Sequence, residues 1–234
     1  DLLTGDRAEE VVRHAGATLH ATLGQSVSDF YQMGIDAAKS LGFTGTNLKG
    51  ATVFIKPNFV TLGLEIFGCQ FDPSVGECTK PELVAAVAEQ CLAAGAGKVI
   101  IGEGAQKTWW EWDVLRFNEG TDIGGATHLL AAADRLKSTY GDDRVELVCL
   151  NQADQWTALP SGSTHENMKD GLFVAKAFAD ADHVISMPVM KTHTFAKMTA
   201  AMKNYVGVIS SDIHGNGISR CWVHLGYKDD TVHG

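Results

Sequence analysis

Apolar and polar residues fall in blocks along this chain, and the period of the blocks changes from one to the next. "ATVFIKPNF" (51–59) is a continuous β-branched and aromatic run closed by Pro57 and Asn58, as expected of a strand buried on both faces. "KVIIGEG" (98–104), "RVELVCLN" (144–151) and "HVISMPV" (183–189) repeat that pattern. Between them, apolar residues recur at helical spacing. "TKPELVAAVAEQCLAAG" (79–95) predicts a helix with Thr79 and Glu82 as a capping box, Pro81 in the first turn and Gly95 past the end. Helical spacing is also read over 6–40, 121–139 and 195–206. Residues 60–78 read as a long loop, and 157–175 as a small hairpin leading into a short helix ending by Ala181.

Strand–helix alternation of this kind predicts an α/β fold: a mainly parallel sheet with helices on both faces, Rossmann-like and three-layered, with a small antiparallel insertion. The 234 residues suit one such domain with loop insertions, expected to be incomplete at its C-terminal end. No apolar run is long enough to span a membrane. A net charge of −9 leaves no basic stripe for nucleic acid, so any anion site is local. The five cysteines form no C-x-x-C pair and encode neither a zinc ribbon nor an iron–sulfur cluster. Cys91 and Cys149 read as core packing, and Cys69 and Cys78 as a disulfide candidate.

Parallel sheets bind ligands beyond the carboxyl ends of their strands. Three strands here end in polar residues: Lys56 and Asn58 after the first, Glu103 between two glycines after the second, Lys191 and His193 after "ISMPV". The segment that follows adds Lys203 and Asn204, with Lys197 read as a surface residue. Lysines stabilise phosphate or carboxylate oxygens, and histidine moves protons or binds metal near neutral pH. The expected division of labour therefore puts Lys56 and Lys203 with Asn58 and Asn204 on a small anionic substrate. His193, Glu103 and Lys191 are the catalytic candidates. A divalent metal stays open as a cofactor, with His193, His214 and His224 the candidate ligands. Of Trp109, Trp110 and Trp112, some are expected in the crevice and the rest in the core, and "SSDIHGNG" (210–217), with Asp212, suits a lid.

"VFIKPNFV" (53–60), "TKPELVAAVAEQCLAAGAGKVIIGEG" (79–104) and "ADHVISMPVMKTHTFAKMTAAMKNYVG" (181–207) together resemble the domain of unknown function 362 family, over roughly residues 50–225. The KTH…KN block is the most specific part, and His224 resembles the histidine that follows it in the family. The resemblance implies an α/β domain, frequent association with a four-iron ferredoxin-type module, and twin-arginine export of many members, beside a cytoplasmic alternative. It implies no settled activity. The chain departs from the pattern in lacking cluster-binding cysteines, in its Trp-rich 105–120 segment, and in ending before the family's usual C-terminal strand with its acidic residues. Three readings follow: an enzyme acting on a small anionic (phosphorylated or carboxylated) substrate, a partner or scaffold of an iron–sulfur electron-transfer module, and a non-catalytic anion- or metal-binding module.

Overall fold

A computed structural model describes residues 29–43, 47–59, 65–66, 69–70, 78–104, 110–152, 155–159, 172–193 and 197–210. Four strands form a parallel sheet: β1 (Thr52–Pro57), β4 (Lys98–Glu103), β5 (Val145–Cys149) and β8 (His183–Met187), in the order β5-β4-β1-β8. β1 lies between β4 and β8, with Val53 opposite Val99 on one side and His183 on the other. A strand covered on both faces and both edges has no position that faces water, which is why its sequence is a nearly unbroken apolar run.

Successive residues of β1 and β4 enter different cores. Val53, Ile55, Val99 and Ile101 pack with the helices α2 (Pro81–Ala93) and α3 (Leu129–Tyr140) in the larger cluster. Phe54 and Ile100 face the smaller one, with Leu150, Val174, Ala175 and Val208. The helices expected on both faces are therefore distributed unequally. α2 and α3 cover one face, and α1 (Phe30–Ser40) packs outside α2. The other face is closed by the hairpin β6 (Trp156–Leu159)–β7 (Leu172–Ala175), the four-residue α4 (Lys176–Ala179) and a 3-10 turn at Tyr205–Val208. Phe178 of α4 meets Phe54 edge-on, with ring centroids 5.6 Å apart.

Local chemistry explains where the elements differ from expectation. α2 ends as its sequence predicts, with Gly95 at φ +96°, a left-handed backbone that a side chain would oppose. Its start differs. Lys80, not Thr79, occupies the cap position and makes no capping hydrogen bond; the Thr79 hydroxyl is engaged elsewhere and Glu82 accepts from the Asn118 N–H. The capping box therefore does not form. The helix expected over 121–139 begins only at Leu129, where His128 Nδ1 accepts the Ala131 N–H at 3.1 Å. Residues 121–128 are instead turns, held by a bridge between Ile123 and Ala126.

The largest difference lies at 195–206. Lys197–Thr199 (β10) folds back antiparallel on Lys191–His193 (β9), with Lys197 opposite His193 and Thr199 opposite Lys191. Among the described residues of that span only Ala201–Asn204 (α5) is α-helical, and it runs on into the 3-10 turn at Tyr205–Val208. The alanines of this segment suggested a helix, but the β-branched threonines favour the pleated ladder. A further two-residue hairpin, β2 (Glu65–Ile66) with β3 (Cys69–Gln70), lies inside the expected loop.

Cys78 is buried, and the side chain of Cys69, its candidate disulfide partner, lies outside the described residues. Cys91 is in the core as expected, and burial pushes its thiol up to about 12. Among the described residues no helix is long and apolar enough to cross a membrane. The parts of the expected 6–40 helix before Asp29, and of the hairpin between 160 and 171, lie outside the described residues.

The three long helices share one polar knot. Arg135 of α3 donates to Glu89 of α2 from both terminal nitrogens, at 3.2 and 2.6 Å, and the Tyr31 hydroxyl of α1 donates to the same carboxylate. Burial, then the hydrogen bond to Glu89, raises Tyr31 to about 12. Burial alone would raise Glu89 as well, but the Arg135 and Tyr31 hydrogen bonds and the Arg135 charge outweigh it and hold it below the usual range. The two groups act at opposite ends of the pH scale. Glu89 contributes stability above its ordinary value, lost as pH falls through the depressed one. Tyr31 contributes fully below pH 10, and that contribution is lost as pH rises toward about 12. Urea unfolding of the protein and of Tyr31→Phe should therefore differ by a constant amount between neutral pH and the ordinary tyrosine range, and the two curves should converge above it. Arg135→Gln should remove the part of the acid-side slope that Glu89 contributes.

Candidate functional site

The strand order fixes where a crevice opens. From β1 the chain steps through α2 to β4 and through α3 to β5, each time to the next strand outward. It then returns to place β8 on the other side of β1. The order thus reverses between β1 and β8, and the carboxyl ends of these two strands form the topological switch point.

Three side chains of the expected site meet there. Lys56, the last residue before Pro57, is 1% exposed, and its ammonium lies 2.7 Å from Glu103 Oε1. The same ammonium donates to the Pro57 carbonyl at 2.5 Å. Glu103, 2% exposed, accepts the Gly104 N–H on Oε1 and the Phe59 N–H on Oε2, both at 2.7 Å. Two charges inside a low-dielectric wall are tolerated only when paired and hydrogen-bonded in this way. Asn204 is the third. Its amide donates to the Lys56 carbonyl at 2.8 Å and to Ser186 Oγ at 3.1 Å, which ties β1 to β8 through α5.

Two further residues complete this wall, and their sequence context hid them. The Thr79 hydroxyl accepts the Asn58 N–H at 2.9 Å and donates to the Met187 carbonyl at 2.6 Å, bridging the exits of β1 and β8. In the sequence, Thr79 reads as a helix cap. Gly207 lies directly over the ion pair: a Cβ there would come within 2.4 Å of Glu103 Oε1 and 2.9 Å of Lys56 Cε. Only glycine fits so close an approach. A glycine a few residues after a helical pattern reads as a plain stop signal. Ser186 is the more visible clue, a hydroxyl between Ile185 and Met187 of β8.

The remaining candidates are distributed around this wall. Asn58 is buried beside Thr79. Lys191 and Lys203 are half-buried, at the start of β9 and in α5. The backbone of His193 ends β9, opposite Lys197; its side chain lies outside the described residues. So do Trp109, Asp212, His214 and His224. Trp110 is buried in the larger core, with Trp112 against it at 5.5 Å between ring centroids. Among the described residues no group of three or more His, Cys, Asp or Glu side chains is placed to hold a metal ion.

Residues 53–233 match the family model "Domain of unknown function (DUF362)". The chain belongs to the DUF362 family. The matched span runs from β1 through the whole switch-point wall. No curated protein and no solved structure matches the chain.

The wall of this DUF362 protein has a measurable energetic signature. Lys56→Met leaves the Glu103 carboxylate buried without its counter-charge and should cost about 3–5 kcal/mol in urea unfolding. Lys56→Met combined with Glu103→Gln should recover a large part of that loss, because no uncompensated charge remains. Gly207→Ala forces a methyl group onto the pair and should cost about 1–3 kcal/mol by the same measurement.

Proposed function

We propose that this DUF362 protein is an enzyme that binds a small anionic substrate, phosphorylated or carboxylated, in the crevice at the β1/β8 switch point. The observation that carries the reading is the β1/β8 switch point itself: Asn58 follows β1 there, α5 with Lys203 and Asn204 is tied to β1 and β8, and β9 with Lys191 and His193 follows β8 closely in the chain. In an acidic chain, two half-buried lysines beside a strand-end crevice supply local charge for an anion at little desolvation cost.

The roles divide by depth. Lys56 and Glu103 neutralise one another beneath the wall, so direct contact of Lys56 with a ligand requires displacement of Glu103. Glu103 already accepts three hydrogen bonds, which suits it to holding the loop after β1 rather than to taking a proton. Both amide hydrogens of Asn204 are likewise used, in fixing β1 against β8. Lys191 and Lys203 then act on the anion, Asn58 orients it, and His193 is the proton carrier or metal ligand.

Titration with inorganic phosphate and with acetate, followed by amide NMR, tests the binding. Signals of Asn58, Lys191 and Asn204 should move, and Lys191→Ala should weaken the interaction about tenfold, as expected for a lost charged hydrogen bond. Shifts confined to other surfaces, or unchanged affinity in Lys191→Ala, would reject the site. Catalysis is a separate question. His193→Ala should keep the anion affinity and lose turnover across a panel of phosphorylated and carboxylated compounds. Unchanged turnover would remove His193 from the reaction.

A further inference from the structure

Pairing in the β9–β10 hairpin groups residues that lie apart in sequence. Lys197 stands opposite His193, and Thr199 opposite Lys191. Directly paired residues share a side of an antiparallel ladder, as do residues two apart on one strand. One side of the hairpin therefore carries Lys191, His193, Lys197 and Thr199, and the other carries Thr192 and Met198. The second is the outer side: Thr192 is exposed and Met198 is 60% exposed, whereas Lys191 is half-buried. Lys197, a surface residue when only the sequence is read, thus shares a side with the proposed proton carrier. Lys191 and Lys197 are diagonal neighbours within the ladder, a relation that sets residues about 7–8 Å apart. Residues 183–211 contain none of the chain's 28 acidic residues, so the segment brings no carboxylate of its own to balance its lysines.

We propose that Lys197 is a further binding residue of the anion site and that the substrate is phosphorylated rather than carboxylated, an inference that rests on the anion reading of the switch-point crevice. A phosphate monoester presents nearly two negative charges and three terminal oxygens, where a carboxylate presents one charge and two oxygens. Two ammonium groups on flexible stems, a hydroxyl and an imidazole are the donors that this side of the ladder brings together, which suits the larger number of acceptors. Like charges set close on one face repel. A dianion offsets both lysines, whereas a monoanion offsets one.

The test titrates the full chain with inorganic phosphate and with acetate, followed by amide NMR, at a pH where phosphate is a dianion. Phosphate should bind about tenfold more tightly than acetate, or better, as one additional charged hydrogen bond implies. Lys197→Gln should weaken phosphate binding about tenfold and acetate binding far less. Lys197→Arg, which keeps the charge, should retain most of the phosphate affinity. Met198→Leu, next in sequence but on the other side of the ladder, should leave both affinities unchanged. Phosphate binding that needs Lys191 yet is unchanged in Lys197→Gln overturns this inference and leaves the anion site standing, as does equal affinity for the two anions. A loss in Lys197→Arg as large as in Lys197→Gln assigns Lys197 to the structure of the hairpin and also overturns it. If neither anion binds, the inference and the anion site fall together.

Discussion

A single buried ion pair organises the carboxyl end of this sheet. Lys56 and Glu103 come from adjacent parallel strands, and neither charge reaches water. Their mutual attraction alone does not offset the loss of hydration. The difference is met by a shell of main-chain groups: the Pro57 carbonyl on the ammonium, and the Phe59 and Gly104 N–H groups on the carboxylate. Each of those groups belongs to the chain just as it leaves a strand. The pair therefore dictates the direction in which β1 and β4 hand over to their loops, and Gly207 seals it from the other side.

This arrangement changes the electrostatics of the crevice. A lysine at a strand end is an obvious anion ligand when only its position in the sequence is known. Paired with Glu103, it presents no net charge, so under the proposed function contact with an anion falls to Lys191 of β9 and Lys203 of α5. On that reading, holding the strand ends together and binding the ligand are tasks of different residues.

Much of the fold was legible because it follows from periodicity. The central strands β1 and β4 were visible as apolar runs because burial on both faces removes the alternation that would make a strand ambiguous, and the partly exposed edge strands β5 and β8 were visible as shorter apolar runs. The end of α2 was legible from Gly95, a local requirement. The start of α2 was not, because Thr79 satisfies a cap pattern and yet has stronger partners in two distant strand ends. The β9–β10 hairpin was missed for a related reason: short ladders are decided by cross-strand pairing, which leaves no periodic trace in three residues. At the site, sequence placed Lys56, Glu103 and Asn204 at the same end of the sheet, and the structure brings them into direct hydrogen-bonded contact. That the first two would neutralise each other was not legible, since nothing in a linear order says which strand-end charges are neighbours. Nor was the hydrogen-bond accounting that makes Asn204 a tie between strands.

β8 joins β1 across the longest reach in the sheet. The Thr52 N–H is bonded to the Asp182 carboxylate at a separation of 130 residues, whereas Lys56 and Glu103 are 47 apart. Loop-closure entropy orders these events: the β1–α2–β4 unit can assemble from contacts close along the chain, while docking of β8 waits for a far longer segment to be gathered. Until β8 docks, β1 is a sheet edge and the strand order has no reversal. The switch point therefore exists only once this long-range strand pairing has formed.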